Sequence, residues 1–283
     1  MTALSTEPAA ERTGPTPTRP VSLPKRRSRL TSIAGVALPP LALIILLAAG
    51  WTVMASRLDS PLVPSLGEIA DELVELATSS SLWNNLEVTL TRVLLGFAAA
   101  FVVSVVLGIA MGRNKYIHRF FEPAVLLGLV TPGLVKALLC VIWFGISVVN
   151  PILAVALAAA PALIVNITQG VRQVDPQLHE MAHVYNFSTW TRLHRIWMPA
   201  LAPSLFTGAR LGIAMSWKVI VLVEIFGLAS GVGYQLNLEF ANHNVAGVLA
   251  WTVAFALVMS AIEYGVLQTL ERRVSRWRKE SSV

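Results

Sequence analysis

The 283-residue chain has a single cysteine and few charges. One cysteine, Cys140, excludes a disulfide scaffold and a cysteine-based zinc site, and its apolar neighbours mark it as a small packing residue. Only 13% of residues are charged, against about 25% in soluble globular proteins. That is too little to cover a water-facing surface, which excludes an ordinary soluble enzyme, a disordered chain and a nucleic-acid-binding arm protein. No G-x-x-x-x-G-K-[ST] loop is present, so the chain is not expected to hydrolyse ATP itself. What remains is apolar: 55% of residues are hydrophobic, and the mean hydropathy is +0.65. The expected class is an all-α, polytopic membrane protein.

Residues 1–32 combine a Pro/Thr/Ala/Glu-rich stretch with a basic cluster, and are expected to form a disordered cytoplasmic tail. Six apolar runs follow, near 33–55, 89–112, 123–147, 149–169, 204–227 and 245–268. Each approaches the roughly 20 residues that cross a hydrocarbon core. Pro39-Pro40 is expected to kink the first or set its start. The membrane domain is placed at 33–272, with a second basic tail at 273–283. Seventeen Lys and Arg fall on one side of this topology and one or two, Arg57 and Arg92, on the other. Both termini are therefore expected in the cytoplasm, in a multi-pass protein of the bacterial inner membrane. The basic net charge of +6 is then a topology signal, and no nucleic-acid partner is needed. Outside the spans, Ser65-Leu-Gly-Glu68 is a capping box before Leu66, Ile69, Leu73 and Leu76 at helical spacing, predicting a short amphipathic helix on the outer side.

The 170–203 loop carries most of the functional information. Asp175-Pro176 is a helix start, Leu178, Met181, Ala182 and Tyr185 share a face, and Asn186 can adopt the left-handed conformation that ends a helix. Ser188 can cap a second helix through Trp190, Leu193, Ile196 and Trp197, which Pro199 and then Pro203 should break. Within it, His179-Glu180-Met181-Ala182-His183 fits H-E-x-x-H, two imidazoles and a general base for zinc. A membrane zinc metallopeptidase is the enzyme alternative, but the third ligand is missing. His194 lies beyond the Asn186 break, so the motif is expected to hold no metal.

The same residues resemble something else. Glu180-Met181-Ala182, three residues, Asn186, nine residues, then Ile196-x-Met198-Pro199 resembles the E-A-A…G…I-x-L-P signature of ABC importer permeases, with Met181, Asn186 and Met198 as departures. Val63-Pro64-Ser65, Thr91-Arg92-Val93-Leu94-x-Gly96-Phe97, Trp143-Phe144-Gly145-Ile146 and Gly231-Val-Gly233-Tyr234 look like the nitrate/sulfonate/taurine branch of that MetI-like family. The resemblance implies six spans with a five-helix MetI-like core, forming the pathway of an importer for a small anionic solute. It also implies a homodimer, two cytoplasmic ATPase subunits docked on 176–198, and an extracytoplasmic solute-binding protein. The ATPase contacts would fall on Glu180, Met181, Ala182, Tyr185, Asn186, Ile196 and Pro199. ATP and Mg²⁺ would sit on the partner, and this chain would carry no cofactor.

Four charges fall inside spans: Lys136, Arg210, Lys218 and Glu224, with Glu263 at about the depth of Arg210. A charge at a helix centre costs roughly 2.5–3.5 kcal/mol on insertion scales, so each should face protein or water. One expectation is structural: Arg210 pairs with Glu263 or reaches the cytoplasmic side, and Lys218 meets freed carbonyls or Glu224 of a second copy. The other is a basic-biased anion pathway, for which Lys136 and Lys218 are the better candidates. The resemblance places Arg210, Trp217 and Glu224 where such permeases often carry Arg, Trp and Glu.

Overall fold

A computed structural model describes residues 29–58, 60–263 and 265. Every regular element among them is helical. The chain divides into two units, Met1–Gly50 and Trp51–Val283. Helix α1 (Arg29–Leu58) begins in the first, so its opening turn overlaps the end of the proposed 1–32 tail, and its backbone continues through Pro39-Pro40. The remainder of both proposed tails lies outside the described residues. Leu41, Leu43, Ile44, Ile45, Leu46 and Leu47 are all exposed, so this part of α1 is apolar on every side, as a lipid-facing helix is.

In the second unit, α2 (Leu66–Thr78) is the expected amphipathic helix, and its capping box is complete. Ser65 Oγ accepts from Glu68 N at 3.2 Å, and Ser65 N donates to Glu68 Oε2 at 3.0 Å. Leu73 and Leu76 seat it on a cluster with Leu82, Leu86, Val232, Trp251 and Ala254.

The bundle is organised around α6 (Val149–Arg172), whose candidate span is 61% buried. Its broadest partner is α3 (Ser80–Arg113). Every fourth residue of α3 facing α6 is small: Gly96, Ala100, Ser104, Gly108 and Gly112. A Cβ on Gly96 would lie 2.6 Å from Val155 Cβ, one on Gly108 2.8 Å from Ile167 Cβ, and one on Gly112 2.5 Å from Val171 Cβ. Where lipid supplies no hydrophobic drive between helices, such stripes let backbones approach and gain dispersion energy. Gly208 and Gly212 on α9 (Met198–Gly227) do the same against Leu163.

Among the described residues, four helices are individually long and apolar enough to cross a membrane, or up to six if each bent pair counts as one span. The expected continuous third span is one such pair. Helix α4 (Lys115–Val130) starts at the Asn114 cap, which absorbs most of the predicted 113–122 loop, and α5 (Gly133–Phe144) leaves it at 102°. The break falls at Thr131-Pro132. Pro132 has no N–H for Gly128 O, and residues before proline avoid the α region. Helices α7 (Pro176–Val184) and α8 (Thr189–Arg192) follow α6. A π-helical turn, Leu193–Trp197, then leads directly into α9, so Pro199 and Pro203 do not break the chain as expected. Pro199 sits where the π turn joins α9, and the wider turn takes up the misfit of its ring and missing N–H. Helix α10 (Val232–Ala241) leaves α9 at a 51° bend, and α11 (Val245–Ile262) completes the described fold.

Candidate coupling segment and intramembrane charge clusters

The 176–198 segment folds as its residues dictate. Asp175 Oδ1 accepts from Gln177 N at 2.8 Å to open α7. Asn186 closes it with φ +49°, and Phe187 N reaches back to Ala182 O at 3.0 Å, the bond pattern of a left-handed helix cap. Ser188 Oγ then accepts from Thr191 N at 3.2 Å and starts α8. Of the predicted docking residues, Ala182 and Ile196 are buried, whereas Glu180, Met181, Tyr185, Asn186 and Pro199 are exposed. Val184 and Trp190, each more than two-thirds exposed, extend the apolar ridge beyond the predicted docking residues. Trp190 stacks on His194, with centroids 4.9 Å apart, and Arg113 lies over Trp197. The side chains of His179 and His183 lie outside the described residues. Among the described residues, no three His, Cys, Asp or Glu gather as a metal would require.

Glu224 is completely buried, and its carboxylate is gripped from three directions. Arg92 Nη1 donates to Oε1 at 2.8 Å, Thr89 Oγ1 lies 3.0 Å from both oxygens, and Gly233 N donates to Oε2 at 2.9 Å. Arg92 also holds Ser230, donating to its carbonyl at 2.7 Å and its hydroxyl at 2.8 Å. Thr89 Oγ1 accepts from Val232 N, and Asn85 Oδ1 accepts from Gly231 N. Asn85, Thr89 and Arg92 thus form one polar line on α3, aimed at the turn between α9 and α10. Gly231, at φ +105°, passes so close to the Glu224 carboxylate that a Cβ there would collide with it. The N-terminus of α10 adds its positive dipole end to the same carboxylate. Two motifs noticed only for their resemblance, around Arg92 and around Gly231-Gly233, meet at this one residue. The i, i+4, i+7 polar spacing on an otherwise apolar helix was the available signal, but nothing in it points to Glu224.

The other intramembrane charges separate. Arg210 Nε lies 3.3 Å from Glu263 Oε1, the pairing that their equal depth suggested. Lys136 Nζ donates to Gly128 O, the carbonyl orphaned by Pro132, so the lysine repairs the α4–α5 break. It also edges an otherwise apolar cavity of about 330 Å³ between α3, α4, α5 and α6. Lys218 has neither ion pair nor hydrogen bond among the described residues. It is exposed on a line of α9 with Thr207, Leu211, Met215 and Phe226. Within the chain the Glu224 carboxylate is held by Arg92, Thr89 and Gly233 and not by Lys218.

A helical membrane protein without a nucleotide loop, with an exposed apolar helix pair and charges along its spans, has the build of a permease driven by a separate subunit. Residues 100–276 match the family described as binding-protein-dependent transport system inner membrane component, and the chain belongs to that family. It is 28% identical to a Bacillus subtilis protein named for aliphatic sulfonates transport, over 89% of this chain and 90% of the relative. It is 30% identical to the taurine transport system permease protein of Escherichia coli, over 84% of this chain and 88% of the relative. A formylaminopyrimidine transport permease protein of Halalkalibacterium halodurans is 24% identical, over 86% of this chain and 97% of the relative. The chain is thus a multi-pass ABC importer permease subunit and not an enzyme, with ATPase activity on a separate subunit. Nothing in these likenesses supports a zinc metallopeptidase.

Proposed function

We propose that two copies of this chain form the membrane pathway of an ATP-driven importer for a small anionic solute of the sulfonate, taurine, nitrate or carboxylate kind. The observation that carries the reading is the 176–198 segment: buried Ala182 and Ile196 with an exposed Met181, Val184, Tyr185 and Trp190 ridge, joined without a loop to α9. An apolar ridge of that kind facing water calls for a protein partner. Its occupant here is one cytoplasmic ATPase subunit per copy, with ATP and Mg²⁺ bound there. Both termini lie in the cytoplasm, in keeping with the basic residues, and an extracytoplasmic binding protein delivers the solute to the opposite face. Lys218 supports the anionic solute and the second copy together. An ammonium on an apolar helix line is costly in lipid and stable beside a water-filled path between two subunits.

Met181→Asp tests the reading. Truncating an apolar anchor at an interface hot spot costs about 2 kcal/mol or more, and a carboxylate in its place costs further desolvation. The variant should insert normally yet lose ATPase co-purification and uptake. Retention of the ATPase at the wild-type level would show that the docking face lies elsewhere.

A further inference from the structure

The buried Glu224 cluster is placed to do more than stabilise. Helix α9 starts at Met198, immediately after the coupling segment, and Glu224 lies 26 residues on, about 39 Å along the axis at helical rise. Nothing but the π turn interrupts the backbone between α8 and that point. At its far end α9 would be free to slide past α3 and α10 if only apolar surfaces met there. Instead, Glu224 holds Thr89 and Arg92 of α3 on one side and Gly233 of α10 on the other, while Arg92 and Asn85 fix Ser230 and Gly231 of the turn. A carboxylate with this many directional partners cannot slip by part of a turn without leaving several groups unpaired in a water-poor site.

We propose that Glu224 is a positioning residue of transport: its clasp makes α10 and the adjoining end of α3 follow α9 as one body, so that displacement of the coupling segment reaches α10. Helix α10 is thereby the moving element at the end of the fold remote from the ATPase. The inference rests on the docking reading given above, since the stroke must enter at 176–198.

Cysteine labelling tests it, because the chain's sole cysteine, Cys140, is buried. Leu238, half-exposed on α10, is replaced in Leu238→Cys, and the permease–ATPase complex in nanodiscs is treated with a membrane-impermeant maleimide, without nucleotide and after ATP–vanadate trapping. The labelling rate at position 238 should change about fivefold or more between the two conditions, the lower end of ordinary site-to-site coupling. Adding Glu224→Gln, which keeps the side-chain shape and an acceptor for Gly233 N, should abolish that difference while ATPase association and nucleotide trapping stay at wild-type levels. Thr89→Val should reduce the difference in the same way. The proposal is overturned if Glu224→Gln labels with wild-type nucleotide dependence, or if Leu238→Cys alone shows none. It is equally overturned if both clasp variants fail to accumulate, which would make the cluster a folding element only. Failure of the Leu238→Cys chain to hold an ATPase at all would instead refute the docking reading.

Discussion

The Arg92–Glu224 pair permits a quantitative test of which basic group Glu224 needs. The carboxylate is fully buried and the Arg92 side chain is 18% exposed. Removing one partner of a buried pair typically costs about 3–5 kcal/mol, because a charge is left uncompensated. Arg92→Gln should fall near about 3 kcal/mol, since Thr89 and Gly233 still donate to the carboxylate. Glu224→Gln should cost less, about 1–2 kcal/mol, because Arg92 keeps Ser230 and some access to water. The double variant contains two neutral amides able to hydrogen-bond, and should cost no more than about 1–2 kcal/mol. The coupling energy is then about 2–4 kcal/mol in favour of the pair. Reversible unfolding in mixed SDS–detergent micelles measures all four corners of the cycle, and membrane abundance gives the same ranking in cells. Lys218→Met combined with Glu224→Gln supplies the control, and its two effects should simply add. Additivity of Arg92→Gln and Glu224→Gln to within about 0.5 kcal/mol would refute the assignment, as would rescue of Glu224→Gln by Lys218→Met.

Gly108→Val should destabilise the α3–α6 pair by at least the 1–3 kcal/mol or so of an overpacked core, because its Cβ would meet Ile167 at 2.8 Å and Ile164 O at 3.3 Å; loss of folded protein on a fluorescence size-exclusion profile checks this. Ser104→Ala on the same stripe gives up only the bond to Ala160 O and should leave that profile almost unchanged. Lys218→Met should leave abundance and ATPase association intact while slowing uptake of taurine and an alkanesulfonate as test solutes; a fall in abundance without slower transport per molecule would make the lysine structural.

Where the determinant is local, the residues alone carried the reading. Ser65 and Glu68 close their capping box within one turn, and Asn186 takes the left-handed cap demanded by its place after α7. The apolar runs marked where helices could enter a membrane, because an unpaired backbone amide is intolerable in lipid whatever the tertiary fold. Arg210 and Glu263 could be matched because depth along a span follows from residue count. The third span shows where local reasoning needed one more step. Pro132 was visible, yet a proline within an apolar run kinks or ends a helix according to whether something else satisfies the orphaned carbonyl. Here Lys136 satisfies Gly128 O, and the chain turns through 102°.

By itself, then, the sequence determined the all-helical class, the caps, the apolar spans, and a helix pair whose ridge resembles the docking segment of importer permeases. Periodicity and capping act over a few residues, and composition acts over the whole chain, so neither needs to know what lies opposite. The tertiary structure decided the partners. It set Arg92 on Glu224 across 132 residues, pressed the small-residue face of α3 against Val155, Ile167 and Val171, and left Lys218 outward on α9. Helical periodicity assigns each of these residues to a face of its own helix but says nothing about which other helix will face it. That choice belongs to packing: backbones close enough to exclude lipid, and a buried carboxylate that must find donors wherever the folded chain brings them.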